Sequence, residues 1–282
     1  MGSAVTARAN GDNDACKHQC VADWALAAGL ATGAAAQSAQ TPGTWPELVH
    51  LFFDDKAILD DPVSVTLDAP LRAEDAALVP MTLSAKLPDG DARRVVKLSL
   101  IIDENPVPLA AVFTLGEKAG PIRLSTRVRV DSYTNVHLVA KLSDGSLRMA
   151  TRYVKAAGGC SAPMVKSPDE ANATMGQMKF RMLPVAAGSE PEALVMLRHP
   201  NNSGLQMDQI THLYTPARYV NHLAVYQGDD LVFSIEGGIS ISEDPNVRFT
   251  FTPNGAKNFR VEVTDTNGAQ FSGSWPAARD GA

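Results

Sequence analysis

Leu124-Ser125-Thr126-Arg127-Val128-Arg129-Val130 alternates apolar and polar side chains over most of its length. A strand with one face on a core and one in water reads this way, because successive side chains leave opposite faces of the sheet. Arg127 and Arg129 then share one face. The same pattern recurs on both sides: Val63 to Leu67, Met81 to Leu87, Val95 to Ile102, Val136 to Leu142 and Leu147 to Val154. Asp89-Gly90 and Asp144-Gly145 supply hairpin turns between such runs. Short strands at this spacing predict a β-sandwich of the immunoglobulin-like kind, without the Cys-Trp-Cys framework of antibody domains.

A second set of strand runs follows downstream: Met178 to Leu183, Leu194 to Arg198, His222 to Tyr226, Leu231 to Ile235, Val247 to Phe251, Phe259 to Thr264 and Gln270 to Trp275. Gly228-Asp229 and Asn267-Gly268 mark turns. The predicted fold class is therefore all-β, two immunoglobulin-like β-sandwich domains in tandem. Helix content is expected to be low, with one short helix where Pro46 precedes Leu48, Val49, Leu51 and Phe52. Expected boundaries are a leader over 1–40, a first sandwich over 41–155, a glycine-hinged arm and linker over 156–174, and a second sandwich over 175–282.

The chain has 282 residues, 45% apolar and 20% charged, with a net charge of −6. Cores of ordinary size are within reach. The acidic balance argues against a nucleic-acid partner, which needs clustered Lys and Arg. Beyond the leader no run has the apolar length of a membrane-spanning helix. Val21 to Gln40 is alanine-rich with Asp23 as its only charge, and Ala34-Ala35-Ala36 fits an A-x-A cleavage pattern. This region reads as a secretory signal peptide, removed near Ala36 to Ala39, which implies export.

Cys16, Cys20 and Cys160 are the cysteines. Cys16 and Cys20 lie in the leader, so an exported chain keeps one thiol, an anomaly in an oxidising compartment. Around Cys160 the sequence is Ala156-Ala157-Gly158-Gly159-Cys160-Ser161-Ala162-Pro163, with no large side chain within three residues. Two glycines free the backbone. Extended, Ala156 to Cys160 spans roughly 15 to 18 Å. Lys155 and Lys166 are placed to favour the thiolate. The same residues equally suit a flexible linker that happens to contain a cysteine.

Other candidates carry less. His212 and His222 flank the turn at Thr215-Pro216, but a metal site needs three or four ligands and no such spacing occurs, so no metal or cofactor is expected. Asp54-Asp55 and Asp60-Asp61 read as solvated acids. Arg127 and Arg129 are placed to draw an anionic cargo toward Cys160 or simply face solvent, the latter being favoured. No phosphate loop, dinucleotide fingerprint or nucleophile elbow is present.

Two sets of residues resemble a known family. Ile122 to Val130, Ser143-Asp144-Gly145, Val154-Lys155 and Gly158-Gly159-Cys160 resemble the C-terminal half of SoxY, which closes on a GGCGG-type arm. His199-Pro200, Ser203-Gly204-Leu205, Pro216 to Val220, Ser240 to Pro245 and Val247 to Phe251 resemble SoxZ. The order looks like that of the fused SoxYZ-like carriers associated with quinoprotein dehydrogenases. The resemblance implies a non-enzymatic periplasmic carrier. Cys160 matches the residue that holds a thiosulfate-derived sulfur species covalently, and Gly158 and Gly159 match the hinge. Implied partners are periplasmic sulfur-oxidising enzymes or a quinoprotein dehydrogenase and its cytochrome. Here the arm is tethered at both ends, Ser161 and Ala162 replace the usual glycines, and Pro163 stiffens the exit. A non-covalent scaffold for a dehydrogenase is the alternative reading, and fold alone does not decide between them.

Overall fold

The computed structural model describes residues 44–277, except 165, 187, 209 and 210. The expected leader, with Cys16 and Cys20, lies outside the described residues. Helix α1 spans Thr44–Phe53. It is followed by β1 (Ile58–Asp60), β2 (Val65–Asp68), β3 (Val79–Ala85), β4 (Val95–Ile102), β5 (Leu109–Leu115), β6 (Ile122–Val128), β7 (Thr134–Leu142) and β8 (Leu147–Val154). Helix α2 (Pro168–Thr174) leads into β9 (Met178–Leu183), β10 (Glu192–Leu197), β11 (Val220–Gln227), β12 (Asp230–Gly237), β13 (Asn246–Thr250), β14 (Asn258–Asp265) and β15 (Gln270–Pro276). The expected all-β class holds, with an immunoglobulin-like sandwich in each half.

The two sandwiches are joined edge to edge. One sheet runs β1-β8-β7-β4-β5-β12-β11-β14-β15, the other β2-β3-β6-β13-β10-β9. Both cross from the first half to the second. In the larger sheet β5 pairs antiparallel with β12, Phe113 opposite Ile235. In the smaller, β6 pairs with β13, Leu124 opposite Phe249. Alternation along the strands sends one face of each sheet inward. On β3 the residues Val79, Met81, Leu83 and Ala85 are buried while Pro80 is exposed. The inward side chains form one core shared by both halves, including Leu83, Leu100, Phe113, Phe233 and Phe249. Each such side chain contributes about 1.5–3 kcal/mol when fully buried.

Helix α1 covers the outer face of the larger sheet, where Leu48 packs with Ile101, Val139 and Leu147. Trp45 stacks on His137 at 3.7 Å between ring centroids. Helix α2 falls in the stretch expected to be a plain linker. Its start is a capping box: Ser167 Oγ accepts from the Glu170 amide, and the Glu170 carboxylate accepts from the Ser167 amide. Ser167-Pro168-Asp169-Glu170 carries that signal in sequence.

Candidate functional site

Cys160 sits in a turn that follows β8. The chain leaves the strand beside residues 71–76: the Lys155 amide donates to the Leu71 carbonyl at 2.8 Å, and the Ala73 amide to the Lys155 carbonyl at 3.1 Å. The turn is then held against the residues that follow β6. The Gly158 amide donates to the Asp131 carbonyl at 2.8 Å and the Gly159 amide to the Val130 carbonyl at 3.1 Å. The Cys160 amide donates to Asp131 Oδ1 at 3.2 Å. From the second half, Ser203 Oγ donates to the Cys160 carbonyl oxygen at 2.5 Å. Gln206 Oε1 accepts from the Ser203 amide and fixes that loop.

The two glycines do different work. Gly158 has φ +76°, a region costly for other L-residues, and its missing Cβ faces nothing nearer than Ser161 Oγ at 4.0 Å. At Gly159 a Cβ would lie 2.1 Å from the Ala76 carbonyl oxygen and 2.6 Å from that of Val130. Gly159 is therefore what lets the turn lie flat on the sheet edge.

This geometry corrects the expectation of an extended, open arm. The Cys160 side chain is 0% exposed and forms no disulfide. Its neighbours Ala157, Gly158, Ser161 and Pro163 are exposed, so the turn lies at the surface with the sulfur directed inward. Small neighbours, read from sequence as leaving the thiol open, instead let it fold in. The expectation of a favoured thiolate also fails here. Burial, then the Asp131 carboxylate, push the thiol pKa up to about 12, against the opposing pull of Arg129. Lys166 is engaged elsewhere, paired with Asp244.

Arg127 and Arg129 do not both face solvent, as the sequence favoured. Arg127 lies on β6 and points outward, where Asn246, its amide turned toward the guanidinium, accepts from Nε at 3.1 Å and Nη2 at 2.7 Å. Arg129 falls beyond the end of β6 and is buried. Its Nη1 donates to the Ile239 and Ile241 carbonyls, while Nε has no hydrogen-bond partner. Asn105 completes the seat, donating to the Arg129 carbonyl and to Ser240 Oγ, and accepting from the Asp131 amide. Sequence reasoning missed Asp131, Ser203 and Asn105. Ser203 stood inside a family-like motif, whereas nothing in the local sequence sets Asp131 or Asn105 apart.

The histidines lie elsewhere. His212 and His222 are both exposed. Among the described residues no three His, Cys, Asp or Glu side chains gather as metal ligands. His199 is buried in a network, with Nε2 3.4 Å from Asp265 Oδ2 and Nδ1 accepting from the Asn201 amide.

Comparison with known proteins divides the chain at this same turn. Residues 49–160 match the family model of the sulfur oxidation protein SoxY, and residues 180–276 that of the sulphur oxidation protein SoxZ. No curated protein matches the chain. Among solved structures, the sulfur carrier protein SoxY from Chlorobium limicola f thiosulfatophilum is similar at 24% identity and a TM-score of 0.33. That match covers 40% of this chain and 91% of that one. A superoxide reductase (neelaredoxin) from Ignicoccus hospitalis is similar at 14% identity and a TM-score of 0.25, covering 33% of this chain and 80% of that one. The SoxY match ends on Cys160 itself, and the SoxZ match begins past α2. The chain thus belongs to the SoxY and SoxZ family of sulfur-oxidation proteins, with the two members fused in that order in one polypeptide.

Proposed function

We propose that the protein is a sulfur carrier of the SoxYZ type, exported to the periplasm, in which Cys160 holds the cargo covalently and Gly158 and Gly159 let the turn leave its seat. The observation that carries this reading is the meeting of both family halves on one residue. The SoxY match closes on Cys160, and Ser203 of the SoxZ half holds its carbonyl. The protein is not itself a catalyst under this reading; periplasmic sulfur-oxidising enzymes or a dehydrogenase system act on what it carries.

The buried state is then the resting state. A thiol with a pKa near 12 is almost wholly protonated at neutral pH and a poor nucleophile. Loading requires the turn to open, because an added sulfur group would occupy space now filled by packed atoms. Among the described residues four hydrogen bonds hold the turn, from the Gly158, Gly159 and Cys160 amides and from Ser203 Oγ. At about 1 kcal/mol net each, opening is rare but accessible. Joining the Cys160 sulfur to the sulfane sulfur of a thiosulfate-type anion forms one S–S bond, releases the thiol proton and removes two electrons. The partner that loads the carrier must therefore be an oxidant.

The full burial of Cys160 also favours a second reading, a non-covalent scaffold in which the cysteine is only a core residue. Intact-mass measurement of protein taken from cells oxidising sulfur compounds separates the two. The carrier reading expects a reducible mass increase confined to the Cys160 peptide and loss of pathway function in Cys160→Ser. An unmodified thiol together with full function of that variant establishes the scaffold instead.

A further inference from the structure

The outer face of the six-stranded sheet carries an open cleft of about 800 Å³. Its walls hold the cations Arg127, Lys166, Lys179, Arg181 and Arg198, against the carboxylates Asp244 and Glu170. Asp244 is spent on Lys166 and Arg198. Burial alone would raise its pKa, but the hydrogen bonds from those two cations outweigh that and hold it below the usual range. Glu170 is engaged by Ser167 in the α2 cap. Among the described residues Arg127 is fixed by neutral acceptors, the Asp244 carbonyl and Asn246. Lys179 and Arg181 are exposed, and among the described residues neither they nor Arg127 form an ion pair.

This is a concentration of uncompensated positive charge on a chain whose net charge is −6. A half-enclosed cleft with an excess of one sign focuses the field and draws in the opposite charge. The arrangement is linear rather than convergent. Lys179 and Arg181 stand two residues apart on the same face of β9, roughly 7 Å apart along the strand. That repeat matches carboxylates on alternate residues of an extended chain better than the single centre of a small oxyanion. The cleft is also close to the arm along the chain. Lys166 is the sixth residue after Cys160, and Arg127 lies two residues before Arg129, whose charge acts on the Cys160 thiol.

We propose that this cleft docks an extended acidic segment of a partner protein, setting that partner beside the Cys160 turn. Carboxylates of the segment pair with Lys179, Arg181 and Arg127. They also compete with Asp244 for Lys166, the first charged residue on the C-terminal side of the turn. Identifying the partner as the protein that handles the cargo rests on the carrier reading; the docking itself does not.

The test uses the reduced full chain and a fluorescein-labelled peptide of alternating Glu and Thr, followed by anisotropy at low ionic strength. Saturable binding is expected, weakened about tenfold or more in Lys179→Glu/Arg181→Glu and changed less than about twofold in Arg152→Glu, an exposed charge on β8. Absence of saturable binding, or equal loss in Arg152→Glu, overturns the proposal. So does displacement of the peptide by sulfate far beyond that by chloride at the same ionic strength, which assigns the cleft to a small oxyanion. No cargo enters this experiment. A clean Cys160 mass spectrum therefore leaves its outcome untouched, and a failed peptide titration leaves the carrier reading untouched.

Discussion

Ser203 Oγ lies 2.5 Å from the carbonyl oxygen of Cys160 and donates to it, so a residue of the second half latches the turn of the first. Ser203 is buried and its own amide is held by Gln206, which leaves its hydroxyl little freedom to rotate away. Ser203→Ala removes the donor and strands a buried carbonyl, at a cost of about 1 kcal/mol or somewhat more. Labelling of Cys160 by a disulfide reagent is expected to speed up about fivefold, with little change in Tm. Identical labelling rates in the variant and the parent would show that the latch does not limit opening.

The thiol predicts its own pH profile. A folded-state pKa near 12, against an ordinary value of 9.0, means the unfolded or open chain loses its proton first. The closed turn is therefore favoured fully below pH 9 and loses that advantage as pH rises from 9 to 12. Alkylation by iodoacetamide should keep accelerating through this window, whereas denatured protein levels off near the ordinary thiol value. A plateau near pH 9 in the native protein would place the thiol in water.

Gly159→Ala and Gly158→Ala should differ sharply. The first sets a methyl group 2.1 Å from the Ala76 carbonyl oxygen, so the turn cannot close. Cys160 labelling is expected to rise tenfold or more. The second meets open space and bears only the strain of positive φ, about 1–2 kcal/mol. Its labelling should rise less than that of Gly159→Ala. The reverse order would mean that the close approach at Gly159 is not what seats the closed turn.

His199 ties the protein's stability to mild acid. Burial lowers its pKa despite hydrogen bonds to Asp265 and Asn201 that act the other way. The unfolded chain then binds a proton near pH 6.5 that the folded protein refuses, so stability is present above that value and is lost as pH falls below it. His199→Asn keeps an acceptor for the Asn201 amide but does not titrate. Between about pH 7 and pH 5 its Tm should fall less than that of the parent. His50, raised by its hydrogen bond to Asp55, acts with opposite sign in both proteins and cancels. Parallel Tm profiles would remove His199 from this role.

Much of the fold was legible locally, because alternation and turn residues are short-range signals. Val95 to Ile102, Leu147 to Val154 and Met178 to Leu183 were read with the bounds of β4, β8 and β9. Gly90 and Gly145 take the positive φ that their hairpins need. The strand β5 was missed, since Leu109-Ala110-Ala111-Val112-Phe113 is an apolar run without polar alternation, in which even the half-buried positions Leu109 and Val112 are apolar where the halves join. The joining itself was not legible. Pairing of β5 with β12 and of β6 with β13 is a match between residues more than a hundred positions apart, which no local pattern records. The Cys160 site divided the same way. Its identity and its glycines stood out, but its burial depends on Asp131, Arg129 and Ser203, brought together only by the tertiary fold.

The two shared sheets carry a consequence for how the protein is supplied. A carrier assembled from separate subunits dissociates on dilution, and a subunit in excess of its partner exposes two bare strand edges. Here β5 and β12, and β6 and β13, are covalently committed to each other, so their stoichiometry is fixed and their association does not depend on protein concentration. Such a molecule stays whole at the low abundance at which a two-subunit version would fall apart.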